Sequence, residues 1–223
     1  MKRGVILVAG GQGLRMGGDL LKQFIPICGK PVLMHTLAVF HRWDCQVMPV
    51  VVLPEAHWAY WEMLCRELNF RIPHQVVAGG ATRFHSVLNA LPCVSDCDVA
   101  GIHDGVRPLV TPEVIEACFV EAAVRGAAVP VIPLTESIRR RDDAGSHAVD
   151  RTEYCIVQTP QVFRCDWLAE AYRQPYTPRF TDDASVIEAS GKSVCLVSGN
   201  QENIKITTPA DLLIAEKILA EMG

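Results

Sequence analysis

Short apolar runs alternate with helix-length segments along almost the whole chain, and this rhythm limits the possible folds more than any single motif does. Residues 4–9 are an apolar run that ends in glycines, and residues 47–53, 74–78, 98–103, 127–132, 193–198 and 204–206 also read as strands. Between them, residues 31–41, 55–69, 82–91, 112–125, 164–174, 182–190 and 209–221 read as helices. One helix has both ends marked: Thr111 is an N-cap, Pro112 suits the first helical position, and Gly126 is a stop signal. Thr181 reads as another N-cap, with Asp182 and Asp183 in the first turn where the helix dipole favours acid. That capping role leaves both aspartates outside any metal site. Alternation of this kind predicts an α/β fold with a mostly parallel sheet and helices on both faces. In such sheets ligands bind at the carboxyl ends of the strands.

Residues 135–157 break the rhythm. Ser137 to Arg141 and Ala148 to Arg151 flank Asp142-Asp143-Ala144-Gly145-Ser146, a cluster of turn residues. The pattern predicts a polar β-hairpin arm leaving the main sheet. A lone hairpin is marginal in water, so a second subunit is its simplest partner. There is no internal repeat and no low-complexity linker, so the expectation is one domain over residues 1–223 with an arm at about 135–157.

The formal net charge of −4 argues against a nucleic-acid surface, though not against a local cationic pocket. No apolar run approaches the roughly 18 residues needed to span a bilayer. The basic-then-apolar start, Met1 to Gly10, is too short in its apolar part for a signal peptide and reads better as a first core strand. Nine scattered cysteines form no C-x-x-C pair. Cys28, Cys45, Cys65, Cys118 and Cys195 lie in apolar segments, and the set is expected to be reduced core residues of a cytoplasmic protein.

Gly10-Gly11-Gln12-Gly13-Leu14-Arg15-Met16-Gly17-Gly18 directly follows the first strand. Such glycines let backbone N–H groups approach phosphate. Two familiar motifs nevertheless fail here. A dinucleotide fingerprint needs a third small residue where Met16 stands, and an acidic residue about 20 positions on, where Pro31 to Leu37 offer none. A P-loop needs lysine after Gly18, where the chain has Asp19. The loop is cationic instead, with Arg15 inside it and Lys22 just after, which suits a triphosphate under attack at phosphorus.

Ala9-Gly10-Gly11-x-Gly13-x-Arg15-Met16, followed by Lys22-Gln23-Phe24, resembles the opening signature of the sugar-alcohol phosphate cytidylyltransferase family. Four further segments agree in order: Gly79-Gly80-x-x-Arg83-x-x-Ser86-Val87; His103-Asp104-Gly105-Val106-Arg107-Pro108; Val149-Asp150-Arg151 with Gln158-Thr159-Pro160-Gln161; and Asn203-Ile204-Lys205-Ile206-Thr207. The branch acting on 2-C-methyl-D-erythritol 4-phosphate, in non-mevalonate isoprenoid synthesis, is the closer resemblance. Ser86-Val87 and Thr181 to Ser185 look more like that branch than like the branch using ribitol 5-phosphate, which is the alternative reading. The resemblance implies a Rossmann-like nucleotidyltransferase fold, a homodimer built through the arm, CTP, and Mg²⁺ or another divalent cation. It implies catalytic roles for Arg15 and Lys22 at the transition state, and for Lys205 and a partner-derived Arg151 on the acceptor phosphate. Ala9, Gly10, Gly11, Gly13, Gly79, Gly80 and Ser86 would bind the nucleotide, Asp104 the ribose and metal, and Arg107, Thr159 and Thr181 the acceptor. Leu21, Ala81 and Gly105 depart from the family pattern; with Ala81 a side-chain contact near the base is missing, while backbone groups can still read cytosine.

The implied chemistry needs no general base. A phosphate monoester has a second pKa of about 6 and is mostly dianionic at neutral pH. The obstacle is charge, which cations and fixed in-line geometry overcome. His85 and His103, beside motif residues, therefore read as structural. Read without the resemblance, Lys205 would be an edge-strand lysine between Ile204 and Ile206, and Arg151 a solvated hairpin charge. An NAD(P)-dependent oxidoreductase and a non-catalytic nucleotide-binding module are the competing classes.

Overall fold

The computed structural model describes residues 1–11, 21–143 and 145–222. Gly13 and Arg15 lie outside the described residues. In chain order the elements are β1 (Arg3–Val8), β2 (Pro26–Ile27), β3 (Lys30–Pro31), α1 (Val32–Trp43), β4 (Val50–Leu53), α2 (Trp58–Glu67), β5 (Gln75–Ala78), α3 (Arg83–Ala90), β6 (Val99–Asp104) and α4 (Pro112–Arg125). There follow β7 (Ala127–Pro133), β8 (Arg139–Asp142), β9 (Gly145–Ala148), β10 (Cys155–Val157), β11 (Gln161–Arg164), α5 (Cys165–Ala171), α6 (Asp183–Ala189), β12 (Cys195–Ser198) and α7 (Pro209–Met222).

The central sheet runs β10-β7-β11-β6-β1-β4-β5, with β12 beside β7. β1 is parallel to β4 and β6, β4 to β5, and β7 to β12. β1 shows why the strands read as continuous apolar runs. Val5 and Leu7 enter one core with α1 and α4, while Ile6 enters another with α3, α5 and α6, and all three are fully buried. A strand covered by helices on both faces has no solvent side to carry polar residues.

Two strands run against the expected pattern. β11 is antiparallel to both β6 and β7 and sits between them, and β10 is antiparallel to β7. Each is three or four residues long, too short for alternation to register, and the helix expected from residue 164 begins only after β11 ends. Residues 204–206 form no strand; Ile206 N–H donates to the Val106 carbonyl at 3.0 Å and the segment joins no ladder. The N-cap of α6 is Asp182 rather than Thr181, because Asp182 and Ser185 close a reciprocal capping box. All nine cysteines are free, but only Cys118 is fully buried, and Cys28, Cys45, Cys93 and Cys155 are exposed. The hairpin β8–β9 is present as a separate two-stranded sheet whose strand residues are all exposed.

A buried chain of hydrogen bonds fixes the end of β6. Asp104 N–H donates to Thr159 Oγ1 at 3.1 Å, and Thr159 Oγ1 lies 3.0 Å from His103 Nδ1. His103 Nε2 lies 3.0 Å from the Arg107 carbonyl, which can only accept, so the proton sits on Nε2 and Nδ1 accepts from the threonine hydroxyl. Burial pushes the His103 ring down to about 4, against a smaller opposing effect of the Arg107 carbonyl. Gln158 and Asn203, both buried, extend the frame: Asn203 Nδ2 donates to the Thr159 carbonyl at 2.9 Å and Gln158 Nε2 to the Asn200 carbonyl at 2.9 Å.

Two outcomes follow from these packing relations. Gly126 caps α4 at φ +94°, and a Cβ there would collide with the Trp167 ring. Gly126→Ala is expected to lower unfolding free energy by about 3 kcal/mol in urea titrations, from left-handed strain plus overpacking. For His103, the folded ring takes up a proton at about pH 4, whereas the unfolded ring does so near 6.5. The unfolded state thus binds more protons between these values, so stability is complete above about pH 6.5 and falls as pH drops. In paired titrations His103→Gln should show a shallower loss over this window, by up to about 1.4 kcal/mol per pH unit. Parallel curves for the two proteins would contradict the assignment.

Candidate active site

The carboxyl ends of β1 and β6 open into a cavity of about 590 Å³. Ala9, Gly10 and Gly11 form one wall, directly after β1. Ala9 N–H donates to the Val52 carbonyl at 3.0 Å, and the Ala9 carbonyl accepts from the buried Gln23 amide at 2.7 Å. Gln23 thereby ties the return of the loop, and neighbouring Lys22, to the end of β1. Lys22 lines the cavity, its Cε 3.8 Å from where a Gly11 Cβ would stand. A larger cavity of about 840 Å³ lies at the opposite ends of the strands, around Leu91, Cys97 and Cys165, and has none of these groups.

The facing wall is the turn Gly79 to Thr82 and the first turn of α3. Buried Ser86 turns its hydroxyl back to accept the Gly80 N–H at 3.0 Å. A Cβ on Gly80 would strike the His85 backbone, so only glycine lets this turn lie so close to the helix. Thr82 caps α3 by accepting the His85 N–H.

Asp104, the last residue of β6, is 6 % exposed and lines the cavity. Three cations from distant parts of the chain meet it. Arg83 Nη1 donates to Oδ1 at 2.8 Å, Arg107 Nε to Oδ2 at 3.1 Å, and Lys205 Nζ stands 3.0 Å from Oδ2. Burial alone would raise this carboxyl; Arg83, Lys205 and Arg107 together overcome burial and hold it well below the usual carboxylate range. The cavity wall thus carries Lys22, Arg83 and Lys205 against one carboxylate, a local positive excess in a chain of net charge −4. That arrangement can accept a polyanion against backbone donors.

Of the residues singled out from sequence, Ala9, Gly10, Gly11, Lys22, Gly79, Gly80, Ser86, Asp104 and Lys205 line this cavity. Arg107 and Thr159 stand behind Asp104, holding it and the Asn203 carbonyl rather than facing the opening. Thr181 is exposed and outside the cavity lining. Arg151 is exposed at the base of the arm, its Nη1 donating to the Thr135 carbonyl at 2.5 Å, and it does not line this cavity. Arg83 was missed as a site residue. It had a readable signal: an arginine at the first position of a helix opposes the helix dipole, so something else must hold it there.

The family model for IspD, 2-C-methyl-D-erythritol 4-phosphate cytidylyltransferase, matches residues 4–221. A protein of that name from Bacteroides fragilis is 55 % identical over 219 residues, covering 98 % of this chain and 100 % of the relative. One from Porphyromonas gingivalis is 54 % identical over 220 residues, covering 98 % of each. The crystal structure of the enzyme of that name from Thermus thermophilus superposes with a TM-score of 0.80 at 30 % identity, over 99 % of this chain and 100 % of that one. With the match running from the first strand to the last helix, the chain belongs to the 2-C-methyl-D-erythritol 4-phosphate cytidylyltransferase family.

Proposed function

We propose that the cavity between the glycine loop, the α3 turn and Lys205 is where the family's reaction takes place, with Arg151 of a second copy completing it. The reaction joins CMP from CTP to 2-C-methyl-D-erythritol 4-phosphate, giving 4-diphosphocytidyl-2-C-methyl-D-erythritol and pyrophosphate in isoprenoid precursor synthesis. One observation carries the placement: Lys22 and Lys205, 183 positions apart, line the same cavity with Asp104 between the glycine walls. The acceptor phosphate is already a nucleophile, so the residues are read as managing charge and aim rather than protons.

In this reading the backbone at Ala9, Gly10, Gly11 and Gly13 cradles the triphosphate, while Gly79, Gly80 and Ser86 hold cytosine and ribose. Lys22 and Arg15 stabilise charge growing on the α-phosphate and the leaving pyrophosphate. Lys205 is pre-aimed by its contact with Asp104 and receives the acceptor phosphate, with Arg107, Thr159 and Thr181 supporting that side. Asp104 suits a hard divalent cation such as Mg²⁺: it is a cavity-lining carboxylate, and among the described residues its Oδ1 accepts from Arg83 alone. Among the described residues no group of three or more His, Cys, Asp or Glu could hold a metal, so phosphate oxygens and water would supply the other ligands. When bound, such a cation neutralises triphosphate charge.

The chain is read as one nucleotidyltransferase domain with a dimerisation arm. The arm's strands are exposed on every residue, and Tyr154, Ile156 and Val157 of the adjoining segment expose apolar surface. A second copy would cover both and bring Arg151 to the neighbouring cavity. No helix among the described residues is long and apolar enough to cross a membrane, which fits the cytoplasmic setting we infer.

Lys22→Ala, Arg15→Ala and Lys205→Ala should each lower kcat by at least about 10²-fold with unchanged circular dichroism, as read by pyrophosphate release. CTP with 2-C-methyl-D-erythritol 4-phosphate should turn over, and CTP with ribitol 5-phosphate should not; the reverse would reassign the acceptor. Co-folding Arg151→Ala with Lys22→Ala subunits should restore roughly a quarter of wild-type activity, because half the dimers regain one complete site. No recovery would sink the shared site.

A further inference from the structure

Behind the cavity wall stand two residues that do not line it, Asp183 and Tyr172. Asp183 opens α6 and is 1 % exposed. Its Oδ1 accepts the Tyr172 hydroxyl proton at 2.7 Å, and its Oδ2 accepts Arg83 Nη2–H at 2.5 Å. Arg83 continues to the cavity, where Nη1 donates to Asp104. A continuous polar chain therefore runs Tyr172–Asp183–Arg83–Asp104, from the end of α5 through α6 and α3 to the end of β6. The Tyr172 ring is itself fixed, stacked on Phe84 at 4.7 Å between centroids, and Phe84 stacks on Phe180 at 5.6 Å.

An arginine facing a lone carboxylate tends to grip it with two parallel N–H bonds. Asp183 prevents that by taking Nη2. Asp104 Oδ1 is then held by a single Arg83 N–H, and among the described residues that oxygen keeps a second acceptor position. Without Asp183, the guanidinium would be released either to clamp Asp104 with both nitrogens or to swing into the cavity. The same link ties the turn carrying Gly79 and Gly80 to α6, which begins two residues after Thr181.

We propose that Asp183 and Tyr172 are positioning residues for CMP transfer: by dividing the Arg83 fork between two carboxylates they set the placement of Asp104. This rests on the reading of the cavity as the transfer site. Were the network only a scaffold, its loss would lower stability while leaving the folded enzyme at normal turnover.

The test uses Tyr172→Phe, which removes one hydroxyl and keeps the stacked ring, and Asp183→Asn, which keeps the shape. Both are measured alone and in an Asp104→Asn background, by pyrophosphate release with CTP and methylerythritol phosphate, with circular dichroism to count folded protein. Expected are kcat losses of about threefold to tenfold for Tyr172→Phe and about tenfold or more for Asp183→Asn, with KM for CTP changing less than about twofold. In the Asp104→Asn background Tyr172→Phe should cost nothing further, because residues acting through one group are non-additive. Folded Tyr172→Phe with wild-type kcat, or losses that multiply in the Asp104→Asn background, would overturn the inference while leaving the site reading intact. An Asp104→Asn enzyme as active as wild type would sink the site reading, and this inference with it.

Discussion

A carboxylate taken out of water at the end of a buried strand is unfavourable by many kcal/mol unless cations come with it. Asp104 is in that position, and its three partners lie at residues 83, 107 and 205. None of these can arrive unless the surrounding elements are in place. Arg83 needs the glycine turn that starts α3, Arg107 needs the turn after β6, and Lys205 needs the buried Gln158 and Asn203 amides that fix its segment. The dependence also runs the other way. Three cations gathered without Asp104 would repel one another, so the carboxylate lets the fold assemble a positively charged wall.

The sheet supplies the stage for this. Because helices cover both faces, β1 and β6 are rigid to their last residues, and the loops leaving their carboxyl ends are aimed by strands that cannot shift independently. The insertion of antiparallel β11 between β6 and β7 serves the same end. It delivers Thr159 and Gln161 beside β6, where Thr159 fixes the Asp104 backbone and Gln161 holds the start of α6 by donating to Asp182 and accepting from Ala184 N–H.

Legibility in the sequence followed the range of the interaction. Elements stated by local chemistry were readable: α4 carries its cap, its proline and its stop glycine within its own length, and β1 is continuously apolar because both its faces are covered. Gly10, Gly11, Lys22 and Lys205 stand in sequence motifs, and the structure brings all four to one cavity. What depends on distant partners was not. β11 is four residues whose strand character comes from its neighbours β6 and β7. Asp183 sits where a helix dipole favours acid, so capping concealed a buried ion pair with a residue 100 positions away. The segment at Lys205 alternates apolar and charged like a strand, yet a loop that joins no ladder buries Ile206 and exposes Lys205 equally well. Among the cysteines, only Cys118 is fully buried, while Cys65 and Cys165 pack against the core in part; apolar neighbours in sequence say little about how deeply a residue is buried.

His103 shows how the chemistry and the scaffold divide their material. It stands one residue from the charged heart of the cavity, where a general base would be placed if the reaction required one. Both of its ring nitrogens are engaged, one by the Thr159 hydroxyl and one by the Arg107 carbonyl, and burial keeps the ring neutral. Such a ring cannot shuttle protons without breaking the bonds that hold Asp104. A nucleophile that is already a dianion removes the need for it to do so. The histidine is then available as a rigid strut, and in the proposed reaction the chemical burden falls on the arginines and lysines around the cavity.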